Sequence, residues 1–279
     1  MDYIKPKQVV ENMIQAGADK AKLSIKDLVI RGILSGALLG FGTTLAFNAE
    51  LQAGLGIVGA VLFPAAFVII ILLGLELVTG NFALIPLAVF EKKATLAELV
   101  KNWSWVIIGH LIGTFLYALL YVIAITNFGQ TTDHVMIEKL IKVAEAKTLG
   151  YQALGSSGLV VVIVKAILCN WMVCLGAVMA MTSQSTIGKV VSMWLPILIF
   201  FAQGFEHAVV NMFVIPAGML LGADVSFADW WIWNQIPVLI GNVLGGFIFT
   251  GLALYATYQT VSKQKVKLSS VKATEMEGV

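Results

Sequence analysis

The sequence predicts an all-α integral membrane protein of six transmembrane helices, arranged as an inverted repeat of three plus three with two helices broken. Three observations carry that prediction: a hydropathy too high for a soluble domain, a one-sided distribution of lysine, and an internal duplication. Of the 279 residues, 59% are hydrophobic and 12% charged, and the mean hydropathy is +0.90. Soluble domains carry about 25% charged residues, so half the usual charge is missing. That composition excludes an ordinary cytosolic enzyme, a disordered chain, and a nucleic-acid binder, which needs a basic face. The net charge of +2 carries no partner information by itself. Cys169 and Cys174 lie in one apolar run and imply no disulfide framework. No cleavable signal peptide is visible, because residues 1–27 are polar and mixed in charge.

A hydrocarbon core of roughly 30 Å needs about 20 apolar residues per helix. Residues 1–27 set Val9, Val10, Met13, Ile14 and Ala18 against Lys, Glu and Asp, the pattern of an amphipathic helix on the cytoplasmic surface. The membrane domain, 28–258, reads as six passes at 28–47, 54–89, 103–126, 159–181, 191–221 and 235–258. The second and fifth exceed one straight helix and contain Pro, Gly and charge, so both are expected to be broken. Between the third and fourth, 127–157 forms an external excursion, in which Met136, Ile137, Leu140, Ile141 and Val143 predict a short amphipathic helix. Residues 259–279 are expected to form a flexible cytoplasmic tail. Trp103, Trp105, Trp194, Trp230, Trp231 and Trp233 mark the ends of passes, at the headgroup level that indole favours. Fourteen of the eighteen basic residues fall on the side of the two termini, whereas the opposite side has Lys139, Lys142 and Lys147 among six acids. The positive-inside rule therefore puts both termini in the cytoplasm of a cell whose cytoplasmic membrane the chain spans. That needs an even number of passes, and six agrees.

The duplication is legible in the letters. Residues 74–86 read GLELVTGNFALIP and 204–216 read GFEHAVVNMFVIP, so Gly74/Gly204, Glu76/Glu206, Asn81/Asn211, Ile85/Ile215 and Pro86/Pro216 match. The helices that follow match too. Asn102 precedes Gly109-His110 and Gly113 at the spacing with which Asn234 precedes Gly241-Asn242 and Gly245. More weakly, Arg31-Gly-Ile-Leu matches Lys165-Ala-Ile-Leu. Each copy holds three passes, an odd number, so the halves must face opposite ways. Paired broken helices in inverted repeats place a substrate path near the midplane, because irregular backbone at that depth is tolerated only inside protein or along a cavity. The path is expected between 74–81 and 204–211.

Ionisable groups inside a bilayer cost about 2.5–3.5 kcal/mol each on insertion scales and must face the bundle interior. Glu76 and Glu206 are symmetry mates beside the breaks, as are Asn81 and Asn211. They read as structural, with the carboxylates accepting hydrogen bonds from backbone N–H groups freed where helix unwinds; proton carriage is the competing reading. His207 has Leu77 as its mate, an asymmetry expected of a transport site, and an imidazole near its usual pKa of about 6.5 exchanges protons near neutrality. Thr79, in the opposing break, is its expected hydroxyl partner. His110 matches Asn242, which leaves a helix-packing hydrogen bond and a pathway role both open. Lys165 either draws anions to the external mouth or anchors its helix by snorkelling. Phe63, Phe67, Leu77, Phe200 and Phe201 bracket the breaks, where a hydrophobic constriction would lie. There is no nucleotide loop, zinc spacing, nucleophile elbow or haem signal, so no catalytic constellation, cofactor or metal is expected.

With GFEHAVVNMF, ELVTGN, KAILCNWMVCLG and KNW-x5-GHLIG together, the chain resembles the formate/nitrite transporter family over roughly residues 5–258. Within the family it looks most like the formate transporters associated with formate dehydrogenase. The resemblance implies an aquaporin-like six-helix protomer, a homopentamer with one pore per protomer, and passage of small monovalent anions or their conjugate acids. Carried over to this sequence, the pore histidine is His207 and its threonine Thr79. The outer constriction falls on Phe63, Phe67 and Phe200, the inner side of the first break on Leu77 and Val78, and the asparagine of the fourth helix on Asn170. Two departures stand out: the family commonly has Asn where this chain has His110, and Lys147 and Lys165 compete for the external vestibule. The resulting expectation is proton-linked passage of formate and related small monovalent anions or their conjugate acids, with a nitrite or hydrosulfide channel of the same family as the alternative. An aquaporin-like neutral-solute channel lacks the expected twin Asn-Pro-Ala motifs, since Asn81 is followed by Phe82. A membrane scaffold for a dehydrogenase is a third reading.

Overall fold

The computed structural model describes residues 2–258, so the tail expected at 259–279 lies outside the described residues. Those residues form helices and no β-sheet; Tyr3 and Ser183 make an isolated antiparallel bridge. The helices are α1 (Pro6–Ala21), α2 (Ile25–Ala53), α3 (Gly56–Leu62), α4 (Pro64–Leu72), α5 (Val78–Phe90), α6 (Leu96–Thr126), α7 (Val135–Lys147), α8 (Leu149–Gln152), α9 (Ser156–Ala180), α10 (Thr186–Ala202), α11 (Ala208–Leu220) and α12 (Phe227–Tyr258). Their ends follow local chemistry. Ser24, Ser185 and Ser226 cap α2, α10 and α12, and Thr95 with Glu98 closes a capping box on α6. Within α12, π-helical turns occupy Trp231–Gln235 and Gly245–Leu252.

Among the described residues, four helices, α2, α6, α9 and α12, are long and apolar enough to cross a membrane. Four shorter apolar stretches, Gly56–Leu72, Val78–Phe90, Thr186–Ala202 and Ala208–Leu220, are interrupted where breaks are expected, at 73–77 and 203–207. The second half of each anticipated break, 78–81 and 208–211, is instead the first turn of the helix that follows.

The duplicated glycines work as spacers. A β-carbon on Gly113 would lie 2.0 Å from the Ile33 carbonyl oxygen, and one on Gly245 would lie 2.3 Å from that of Ile167. Gly109 and Gly241 face Val29 and Ile163 in the same manner. Hence α6 lies against α2, and α12 against α9, at backbone contact, the close approach small residues permit in membrane helices. Gly113→Ala is expected to force these backbones apart at a cost of about 1–3 kcal/mol, read as a lower melting temperature of the detergent-purified protein.

The outer helices repeat as well, which the sequence reading did not register. Val9, Met13 and Gly17 form the buried face of α1 on α5; Met136, Leu140 and Ala144, at the same spacing of four, form that of α7 on α11. The apolar stripe of α1 is thus turned onto protein rather than lipid, because Gly17 lets it approach the Leu84 carbonyl directly. In each helix a lysine stands three residues further on, Lys20 and Lys147. The segment before α1 is tied to the α9–α10 turn: Asp2 accepts from Ser183 Oγ and from the N–H groups of Gln184 and Ser185 at 2.6–2.7 Å.

Candidate functional site

Both breaks leave their first helix in the same way. Gly74 and Gly204 each sit at φ +63, where glycine turns the chain without strain. Leu75 N–H bonds back to Ile70 at 3.0 Å and Phe205 N–H to Phe200 at 3.3 Å. Leu77 and His207 are extended, and α5 and α11 begin at the next residue.

A buried carboxylate follows each glycine by two positions. Glu76 and Glu206 are 1% and 2% exposed. Glu76 takes Lys20 Nζ at 2.6 Å and Asn81 Nδ2 at 2.8 Å; Glu206 takes Lys147 Nζ at 2.8 Å and Asn211 Nδ2 at 2.7 Å. Asn81 also donates to Asn102 Oδ1 at 2.8 Å and Asn211 to Asn234 Oδ1 at 2.9 Å. Asn102 and Asn234 in turn donate to the carbonyls of Lys20 and Lys147 at 3.0 and 2.9 Å. Tyr151 adds a hydroxyl to Glu206 Oε1 at 2.7 Å. These two charge locks are copies of one another. Their donors are lysine and asparagine side chains, with the Tyr151 hydroxyl added at Glu206, rather than the freed backbone N–H groups expected from sequence. Two of those N–H groups go to α6 and α12 instead, Val78 N–H to His110 Nε2 at 3.1 Å and Ala208 N–H to Asn242 Oδ1 at 2.9 Å, while Glu206 N–H meets the Lys165 carbonyl at 3.4 Å.

Between the breaks, Thr79 Oγ1 lies 3.2 Å from His207 Nε2. Nδ1 of His207 receives the Val210 N–H at 3.3 Å, capping α11. With Nδ1 an acceptor, the neutral ring carries its proton on Nε2 and donates it to Thr79, an assignment made from hydrogen bonding. The Thr79 hydroxyl hydrogen is then left for a third group. The Thr79 carbonyl is held by Asn170 Nδ2 at 3.0 Å and by the Cys174 thiol at 3.1 Å. Asn170 also donates to the Asn242 carbonyl at 2.6 Å, while its own Oδ1 is buried without a partner among the described residues.

Two cavities border the breaks, one reaching Glu206 and His207 and the other Gly74 and Leu75. One, of about 530 Å³, is walled by Lys139, Lys142, Lys147, Lys165, Phe200 and His207 among others. The other, also about 530 Å³, is walled by Lys20, Leu72, Gly74, Ala180, Gln184 and Lys189 among others. The first touches α9 at Lys165 and the second at Ala177 and Ala180, which at 1.5 Å per residue lie roughly 20 Å further along the helix. α10 runs the other way, with Lys189 at the second cavity and Phe200 at the first. The cavities therefore open at opposite ends of the bundle.

Buried apolar side chains occupy the layer around the imidazole. Phe200 stacks on His207 with ring centroids 5.8 Å apart. Phe63 meets Phe200 edge-on at 5.7 Å and stacks on Phe201 at 4.0 Å. Phe67, Leu77 and Val78 are buried in the same cluster. Lys165 places its ammonium 5.5 Å from the centre of the Tyr151 ring. Lys147 lines the same cavity while paired to Glu206. The structure brings His207, Thr79 and Asn170 together with Phe63, Phe67, Leu77, Val78 and Phe200 packed nearby, and adds Lys20, Ser35, Tyr151 and Cys174, to which the sequence assigned no role at the breaks. A lysine at the same step beyond each amphipathic stripe was the available signal for Lys20.

The sequence profile described as formate/nitrite transporter matches residues 7–256. The chain belongs to the formate/nitrite transporter family. It is 32% identical over 272 residues to the formate channel BtFdhC of Bacillus thuringiensis, covering 93% of this chain and 97% of that one. Among solved structures, it is similar to an ion channel of this family (TM-score 0.77, 26% identity, 90% and 98% of the two chains covered). It also shares its fold with a pentameric formate channel with formate bound (TM-score 0.68, 22% identity, 84% and 98% covered). Family and apolar helices together make this a multi-pass membrane protein.

Proposed function

We propose that this chain carries formate across the cytoplasmic membrane, crossing the apolar layer as formic acid, past the contact between His207 and Thr79. The observation that carries this reading is that contact itself, with His207 lining one of two cavities that open at opposite ends of the bundle. Lysines at the outer cavity raise the local concentration of a small anion. Phe63, Phe67 and Phe200, with Leu77 and Val78 on the inner side, then oppose a bare carboxylate, since burial without a partner favours its neutral form. The proton comes from water or through His207, and the hydroxyl of Thr79 and the free Oδ1 of Asn170 offer a donor and an acceptor to an acid that carries both.

The architecture we propose is six passes in an inverted repeat, with an aquaporin-like protomer and both termini cytoplasmic. The copied charge locks and glycine contacts support the duplication, and the lysine distribution supports the orientation. A homopentamer in lipid, each protomer with its own pore, is proposed on the family resemblance and on the fold shared with a pentameric channel. The test is uptake by liposomes holding the purified protein. Formate is expected to enter with one proton and no net current, and to be slowed by nitrite, hydrosulfide or lactate according to how well each fits. Formate current without proton flux would overturn the protonated crossing, and no uptake of any small anion would overturn the function.

A further inference from the structure

His110 and Asn242 occupy matching positions but are chemically different, and the surroundings of each show how the difference is absorbed. Asn242 makes three bonds with one amide. Its Oδ1 accepts the Ala208 N–H at 2.9 Å, and its Nδ2 donates to the carbonyls of Ala166 at 2.8 Å and Glu206 at 2.9 Å. One side chain so joins the first helix of its half to both sides of the break. His110 makes the corresponding acceptor bond, from Val78 N–H at 3.1 Å, and the corresponding bond to the first helix, from Nδ1 to the Gly32 carbonyl at 2.9 Å. A neutral imidazole then has no donor left. The third bond, to the Glu76 carbonyl, comes from Ser35 Oγ at 2.5 Å, and Ser35 lies 3.3 Å from His110 Nδ1. All of these groups are fully buried or nearly so. The repeat mate of Ser35 is Cys169, three residues beyond Ala166 as Ser35 is three beyond Gly32.

We infer that His110 and Ser35 act together as a two-residue positioning clamp that does in the first half what Asn242 does alone in the second. The clamp fixes the start of α5 and hence Thr79, which follows Val78, against His207. This rests on the reading that the substrate passes Thr79. Neither residue touches the substrate; both act through the backbone of the break.

The clamp makes a specific prediction of non-additivity. Four proteins are compared in liposomes for formate uptake: the unaltered chain, Ser35→Ala, His110→Asn and the double variant. Ser35→Ala leaves the Glu76 carbonyl without a donor and is expected to lower the maximal rate about tenfold, given the cost of an unmet buried polar group. His110→Asn supplies the amide found at Asn242 and is expected to hold the rate within about twofold, because both donors of the amide then have carbonyls to meet. In that background Ser35→Ala is expected to cost nothing further. A merely space-filling role for Ser35 would give the same loss in both backgrounds, which overturns the proposal. So would harmless Ser35→Ala in the unaltered chain, or a His110→Asn protein that fails to fold or to transport. If the unaltered protein itself moves no formate, the transport reading fails, and melting temperatures of the same four proteins still test the clamp.

Discussion

Lys147→Met is expected to deplete folded protein from the membrane. Its ammonium is 2.8 Å from Glu206, which is 2% exposed, and removing it leaves a buried carboxylate facing only neutral donors. Removing one member of a buried ion pair costs about 3–5 kcal/mol, whereas removing both is often close to neutral. Lys147→Met with Glu206→Gln is therefore expected to recover much of the yield lost in the single variant, because the glutamine amide needs no countercharge. Lys20→Met, with or without Glu76→Gln, should behave alike, since the first lock copies the second. Quantifying the monodisperse protein by size-exclusion chromatography checks this. A Lys147→Met protein that folds normally but takes up formate poorly at low concentration would assign this lysine to anion collection instead.

His207→Asn is expected to fold normally and to lose at least about tenfold of formate uptake, with its pH dependence flattened. Asparagine is a good N-cap, so it can still receive the Val210 N–H that His207 takes at 3.3 Å. It cannot take up and release a proton as an imidazole does, and general acid–base groups typically contribute about 10²–10⁴-fold. His207→Ala removes the cap too, at about 1 kcal/mol, so the gap between the two variants isolates the helix-starting role from the imidazole. Proteoliposome uptake measured across pH for both, at matched protein density, checks this. An asparagine variant with unaltered rate and pH profile would sink the imidazole as a participant.

Much of this was readable in the letters because the two halves kept their turn-forming and hydrogen-bonding residues. Gly74/Gly204 fix a left-handed turn and Asn81/Asn211 fix a lock, and few other side chains do either job. What was not readable had been preserved in kind rather than in letter. Val9, Met13 and Gly17 correspond to Met136, Leu140 and Ala144 only as apolar or small residues, so the outer helices did not declare themselves copies, and their lysines were not matched to the glutamates. Lys147 accordingly looked like a rival to Lys165. The role of His110 stayed open for a different reason: its equivalence to Asn242 exists only with Ser35 included, and that residue lies seventy-five positions earlier in the chain.

The two charge locks also bear on how the chain is made. Lys20, Glu76, Asn81 and Asn102 lie in that order within the first half, and Lys147, Glu206, Asn211 and Asn234 within the second. As the polypeptide leaves the ribosome, each cation is already synthesised when its acid emerges, and each set is complete once the two helices that follow the acid have been added. Neither half borrows a member of its set from the other. A nascent chain halted after α6 thus holds every group needed to neutralise Glu76, so the bilayer never has to store that acid while waiting for the remainder of translation.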